Sequence, residues 1–209
     1  MNYFSSFCCL LIVISIAAGA CTDDNTTDSG EVVISEEDSI AQRMADEILI
    51  DEFIAQQGYD EVLFTERGAR YIITEAGNGL EPELNEIVSI DFIGSFLSGQ
   101  IFDSNIESVA LSNGTGKDNI VWDDFRFNYT VDGRQLNFLG QYSYLILMPE
   151  LKIAVGAALG QMTEGGKAVL LFPSDLALRS SGFDSGQGFV IPENTPLVFE
   201  ITLTKVRSN

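Results

Sequence analysis

The chain is predicted to fold as an α+β domain built on an antiparallel sheet. Three observations predict it. Runs of strand period lie both before and after a single short helical stretch, no βαβ alternation is visible, and 45% apolar residues within 209 supply a core of ordinary size. The clearest strands are Val88 to Gly94 (VSIDFIG), Ala168 to Phe172 (AVLLF, halted at Pro173) and Leu197 to Val206 (LVFEITLTKV). In the last, Leu197, Phe199, Ile201 and Leu203 alternate with Val198, Glu200, Thr202 and Thr204, the period of a half-buried strand. The helix is expected between Pro149 and Met162, with Leu151, Val155, Ala158, Leu159 and Met162 on its apolar side and Gly165-Gly166 as its stop.

Ahead of the sheet, Ser35 followed by Glu36, Glu37 and Asp38 reads as an N-cap with an acidic first turn. Ile40, Ala41, Met44, Ala45, Ile48, Leu49 and Phe53 recur at helical spacing to about Gln57, and Gly58 ends the run. This N-terminal amphipathic helix, over 35–58, is expected to dock on the main domain. Its acidic polar face argues against a membrane-surface or dimer helix. Within residues 104–150, Phe125, Phe127, Tyr129 and Val131 alternate, Asp132-Gly133 supplies a two-residue turn, and Leu136 and Phe138 continue beyond it. That pattern predicts an inserted hairpin or extra strand pair.

Composition excludes much chemistry. The chain has no histidine, so imidazole bases, Ser-His-Asp systems and His-ligated zinc are all ruled out. All three cysteines, Cys8, Cys9 and Cys21, fall within the first 21 residues, so the folded part has neither thiol catalysis nor disulfides. Against 31 Asp+Glu stand 11 Lys+Arg, a net charge of −20 that repels phosphate backbones and argues against nucleic acid as a partner. A carboxylate-pair hydrolase is the reading this acidity suggests, yet no two carboxylates are paired by pattern, and a solvated surface explains the charge. SNGTGKD lacks the first glycine and the Ser/Thr of a phosphate loop, and DDNTTDSGE lacks calcium-loop spacing. No cofactor is implied.

Residues 7–20 (FCCLLIVISIAAGA) have the length of a secretory h-region and end in small residues directly before Cys21. The segment resembles a bacterial lipoprotein signal over 1–20, with Cys21 as the lipidated residue and 21–34 as a flexible acidic tether. An ordinary secretory signal is the alternative. Asp23-Asp24 resembles the surface-export signals of Bacteroidetes-type lipoproteins. The expectation is an exported protein, lipid-anchored in the cell envelope at the outer membrane, on its periplasmic or surface side.

Three blocks in order carry a further resemblance: NEIVSIDFIGSFLSGQIFDSN, AALGQMTEGGKAVLLFPSDLAL and IPENTPLVFEITLTKV. They resemble the FKBP-type peptidyl-prolyl cis-trans isomerases, over about 71–207 with 104–150 as an insertion. RGARYIITEAGNG and the preceding helix are similar to the lead-in of exported FKBP-type lipoproteins. The resemblance implies a twisted antiparallel sheet curled around one short helix, with an apolar pocket between them. It also implies isomerisation of X-Pro bonds in unfolded or exported polypeptides, and a possible macrolide inhibitor. On the family's pattern Phe102 is pocket wall and Asp103 its polar rim, while Phe92 stands where a Tyr is usual. Phe199 matches the aromatic of the last strand, and Ile191 the aliphatic at the Ile-Pro turn. Val155 falls at the position of the Trp floor, Leu178 at that of a Tyr hydroxyl donor, and Ile153 at a backbone donor preceding the floor. The family's remaining pocket ring is Phe127, Phe138 or Tyr144. The alternative from another class is a binding or chaperone module whose turnover was lost through Val155 and Leu178.

Overall fold

A computed structural model describes residues 35–115, 125–130, 148–178, 181–184 and 189–207. The expected signal segment, the tether and the 132–133 turn with Phe138 and Tyr144 lie outside them.

The sheet is antiparallel throughout. Its strands are β1 (Leu63–Phe64), β2 (Arg70–Glu75), β3 (Ile87–Phe96), β4 (Ile101–Ser104), β5 (Phe125–Asn128), β6 (Lys167–Phe172) and β9 (Leu197–Arg207), ordered β1-β2-β6-β9-β3. Two short strands, β7 (Phe183–Asp184) and β8 (Val190–Ile191), pair separately. β4 and β5 share the outer edge of β3: β4 pairs Ile93 to Ser95, and β5 pairs Ile87 to Ile90. The chain that leaves the sheet after Ser104 therefore rejoins the same edge at Phe125. In between it forms α2 (Glu107–Ser112), a short helix that the strand-like pattern of this stretch did not announce.

β9 keeps its predicted alternation up to Leu203, with Leu197, Phe199, Ile201 and Leu203 buried. There a bulge intervenes: Ser89 pairs with Lys205 but Ile90 with Leu203, and the Thr204 hydroxyl donates to the Ser89 carbonyl at 3.0 Å. The extra residue shifts the phase, so Val206 rather than Lys205 enters the core.

The core helix, α3 (Pro149–Leu159), lies on one face of the sheet and buries Leu151, Ala154, Val155, Ala158 and Leu159. Pro149 at its first position lacks the N–H that a helix start leaves unpaired. The adjacent Glu150 is buried, accepts the Thr65 hydroxyl at 2.5 Å and faces Arg67 at 3.7 Å. The helix ends at Leu159, earlier than the Gly165-Gly166 stop predicted. At Gly160 a Cβ would lie 2.8 Å from the Tyr129 hydroxyl, so the chain turns there around a buried ring. Burial, and then the Glu81 charge, push that phenol's pKa up.

The N-terminal helix α1 (Glu36–Gln57) has its predicted ends: the Ser35 hydroxyl accepts from Asp38 N–H, and Gly58 adopts φ +72°. It docks on the opposite face of the sheet. Ile50, with Phe53 and Ile54 beside it, packs on Ile72, Val169, Leu171 and Val198. The rest of its contact is polar, contrary to expectation. Buried Asp46 accepts both the Ser174 N–H (2.8 Å) and the Ser174 hydroxyl (2.5 Å), and Gln42 donates to its other oxygen at 2.8 Å. Arg43 reaches both oxygens of Asp175 at 2.8 Å, and Arg70 bridges Glu47 (2.5 Å) and Asp51 (2.9 Å). Of the predicted apolar stripe only Phe53 packs inward, while Ile40, Met44, Ile48 and Leu49 face outward. Polar and charged contacts run from the helix to Arg70 on β2 and to Ser174 and Asp175 just after β6, so hydrophobic periodicity named the helix but not its buried side.

Candidate functional site

The face of the sheet under α3 converges on aromatic rings. β3 supplies Phe92 and Phe96, β4 Phe102, β6 Phe172, β9 Phe199, and the β7–β8 unit Phe183 and Phe189. Phe102 is the hub. Its ring centroid lies 5.2 Å from Phe96, 6.0 Å from Phe189 and 5.8 Å from Phe199, the last at 83°. Phe199 continues to Phe172 at 6.0 Å and 78° and to Phe92 at 6.4 Å, and Phe189 to Phe183 at 5.9 Å. These separations and edge-to-face angles are those that aromatic quadrupoles favour.

The close approach depends on Gly94, which faces Phe199 across the β3–β9 ladder. A Cβ at that position would lie 2.7 Å from the Phe102 ring and 3.2 Å from the Phe199 ring. Any larger residue would force the hub off the sheet.

The edge of β3 opposite the rings is completed by side chains. Between the end of β4 and the start of β5, the Ser104 hydroxyl donates to the Phe92 carbonyl at 2.7 Å. The Asn105 amide accepts the Phe92 N–H at 2.6 Å and donates to the Ile90 carbonyl at 3.0 Å. An asparagine amide carries the donor and acceptor of a peptide group, so Asn105 fills the missing rung of the ladder. It thereby fixes the backbone that carries Phe92.

Of the residues singled out from sequence, Phe92, Phe102, Val155, Leu178, Ile191 and Phe199 all belong to this one buried cluster. Asp103 is buried beside it and accepts the Ser104 N–H at 2.8 Å. Ile153 stays half-buried on α3 outside the cluster, at a helix position whose N–H belongs to the internal ladder. Phe127 lies on β5 opposite Val88 by its backbone. Sequence reasoning missed Phe96, Phe183 and Phe189; the rings of GFDSGQGFVIP flanking the Ile-Pro turn were the available signal for the last two. It also missed Asn105. Its position after Phe-Asp-Ser, where a strand stops, was the only hint.

The rings are closely packed: Phe92, Phe102, Val155 and Phe199 are no more than 3% exposed. Exposure rises toward Phe96 and Phe183, both half-buried. A cavity of about 220 Å³ lies on the other face of the sheet, bordered by Asp91, Lys167, Glu200 and Thr202. Lys167 is held there by Glu75 at 2.8 Å. Among the described residues no group of three or more carboxylates converges to hold a metal ion.

The profile of the FKBP-type peptidyl-prolyl cis-trans isomerases matches residues 79–204. The chain belongs to this family. The match runs from just before β3 nearly to the end of β9 and takes in the whole ring cluster of this FKBP domain. The chain is 26% identical over 171 residues to a probable FKBP-type peptidyl-prolyl cis-trans isomerase FkpA of Neisseria meningitidis serogroup B. That alignment covers 81% of this chain and 48% of the relative, so the chain spans about half the length of the curated protein it matches. Among solved structures, a peptidyl-prolyl cis-trans isomerase from Pseudomonas syringae pv. tomato shares 22% identity with a TM-score of 0.47, covering 81% of this chain and 96% of that one. FkpA from Escherichia coli shares 20% with a TM-score of 0.45, covering 82% and 66%.

Proposed function

We propose that this chain is a peptidyl-prolyl cis-trans isomerase acting on proline-containing segments of unfolded or newly exported polypeptides. The observation that carries the reading is the convergence of Phe92, Phe102 and Phe199 with Val155 and Ile191 inside an FKBP domain. The reaction suits a protein with no histidine. Amide resonance holds the X-Pro bond with a barrier of about 18–20 kcal/mol, and crossing it requires neither nucleophile nor base. A dry aromatic site favours the twisted amide, in which charge separation is smaller than in the planar one. Each stabilisation of that state by about 1.36 kcal/mol is a tenfold gain in rate.

In this reading the pyrrolidine ring enters past Phe96 and Phe183 and wedges against Phe102, displacing rings that otherwise fill the site with one another. Asp103 stands at the rim. Val155 in place of an indole leaves an aliphatic floor, and Leu178 offers no hydroxyl to the substrate carbonyl; the lost hydrogen bond is worth about 0.5–1.5 kcal/mol. Proline is still gripped, with less rate gain per encounter. A pocket-filling macrolide would compete at the same rings. The run before Cys21 and the acidic stretch after it support a lipid-anchored protein of the bacterial cell envelope.

The test is cis/trans exchange of short Leu-Pro and Phe-Pro peptides followed by NMR, with the wild-type chain and a Phe102→Leu variant that keeps an apolar side chain at the hub. Acceleration by the wild type that falls about tenfold or more in the variant is expected. A folded wild type that gives no acceleration would replace this reading with that of a proline-binding module without turnover.

A further inference from the structure

We propose that the outward face of α1 is a docking surface for a cationic amphipathic polypeptide segment, separate from the aromatic cluster and independent of turnover there. Ile40, Met44 and Ile48 stand one turn apart along the helix, 55%, 63% and 59% exposed, with Leu49 at 48%. Ala41 and Ala45 lie exposed alongside them, so the row of large side chains borders a shallow track of small ones. Spacing of i, i+4, i+8 is that of anchors which receive a partner helix. This face takes no part in holding the helix to the sheet. Asp46, Arg43, Glu47 and Ile50 on the other side do that, so the apolar row is presented on a firmly anchored support.

Charge selects the occupant. The row is framed by exposed Glu37 at its start and exposed Glu52 at its end. Arg43 is the only cation of the helix, and it lies on the docked side against Glu47 and Asp175. A second copy of the chain would bring the same carboxylates. Antiparallel pairing would set Glu37 against Glu52, parallel pairing would set like against like, and each copy carries −20. Anionic membrane surfaces are repelled in the same way. A segment with an apolar stripe flanked by Lys or Arg satisfies both the row and its acidic ends.

The experiment measures fluorescence anisotropy of a labelled helical peptide, leucines on one face and lysines at its flanks, titrated with the full chain. A peptide with the same leucines and glutamate flanks is the comparison. Binding of the lysine peptide is expected to fall about tenfold in Met44→Ser/Ile48→Ser. In Glu37→Gln/Glu52→Gln it is expected to weaken by a smaller factor and lose most of its salt dependence. Equal binding of both peptides, unchanged binding in the Met44/Ile48 variant, or no binding by the full chain would overturn the proposal. So would a dimer in sedimentation equilibrium that dissociates in the Met44/Ile48 variant, or adsorption to phosphatidylcholine vesicles that the same variant abolishes.

Discussion

The two faces of the sheet are covered by helices that solve the same problem in opposite ways. Under α3 the contact is apolar apart from buried Glu150 at the helix start, built from seven phenylalanine rings and aliphatic side chains that interlock around Phe102. On the other face α1 is held by a small apolar patch around Ile50 and by a ladder of buried or half-buried charges. Apolar packing is non-directional and tolerates displacement of one ring by another apolar body, the property a proline-gripping site requires. A charge ladder has only one register in which every partner is satisfied, and so fixes the pose of a helix. The difference separates a face packed without directional constraint from one that holds a scaffold element still.

The comparison predicts a graded set of effects. Phe102→Ala removes the hub of the apolar face and is expected to cost about 3–5 kcal/mol in urea unfolding, the largest single loss. Equal stability in that variant would mean the rings do not hold the face together. Asp46→Ala strands the Ser174 N–H and hydroxyl against the sheet and is expected to cost about 1–3 kcal/mol. A double-mutant cycle with Ser174→Ala should recover part of this as coupling, whereas additive losses would reduce the ladder to decoration. Arg43→Ala removes the contact of Arg43 Nη1 with both oxygens of Asp175 at the half-exposed end of the ladder. Burial acts to lower the pKa of Arg43, but the Glu47 hydrogen bond and the Asp175 charge outweigh it and hold the pKa above its ordinary value. The loss there should be about 0.2–1 kcal/mol and should shrink in high salt.

The smallest expected effect is one of pH. Tyr59 sits at the margin of the α1 contact, and burial, then the Glu200 charge, raise its phenol above the ordinary value of 10.0. The unfolded chain therefore ionises this group first. Stability from Tyr59 is complete below about pH 10 and declines as pH rises through the folded-state pKa. Tyr59→Phe should flatten the alkaline part of a urea-midpoint profile, and an unchanged slope would assign that slope to other tyrosines.

The sequence made β3, β6, β9 and the core helix legible, because strands with one face buried and a helix rich in Leu, Val and Ala leave clean periods. It also brought Phe92, Phe102 and Phe199 together through three blocks standing in family order, and the three share one buried cluster. What was not legible has a physical cause in each case. The buried side of α1 was misjudged because Asp46 and Arg43 are polar by type yet interior once Ser174 and Asp175 meet them across about 130 residues of chain. Those contacts leave no trace in periodicity. Phe183 and Phe189 flank a two-strand unit too short to show alternation. Asn105 is missed by any residue scale, since its work is that of a backbone.

That last residue has a consequence for how the domain tolerates change. By supplying a rung of the ladder itself, Asn105 closes the edge of β3 locally, whatever follows it. The polypeptide departs at Ser104 and returns at Phe125 on the same edge, so the excursion is joined to the sheet at two neighbouring points. Doubling the length of such a loop costs only about 0.6 kcal/mol in closure entropy. Added length at this point therefore carries little entropic penalty for the sheet that anchors both of its ends.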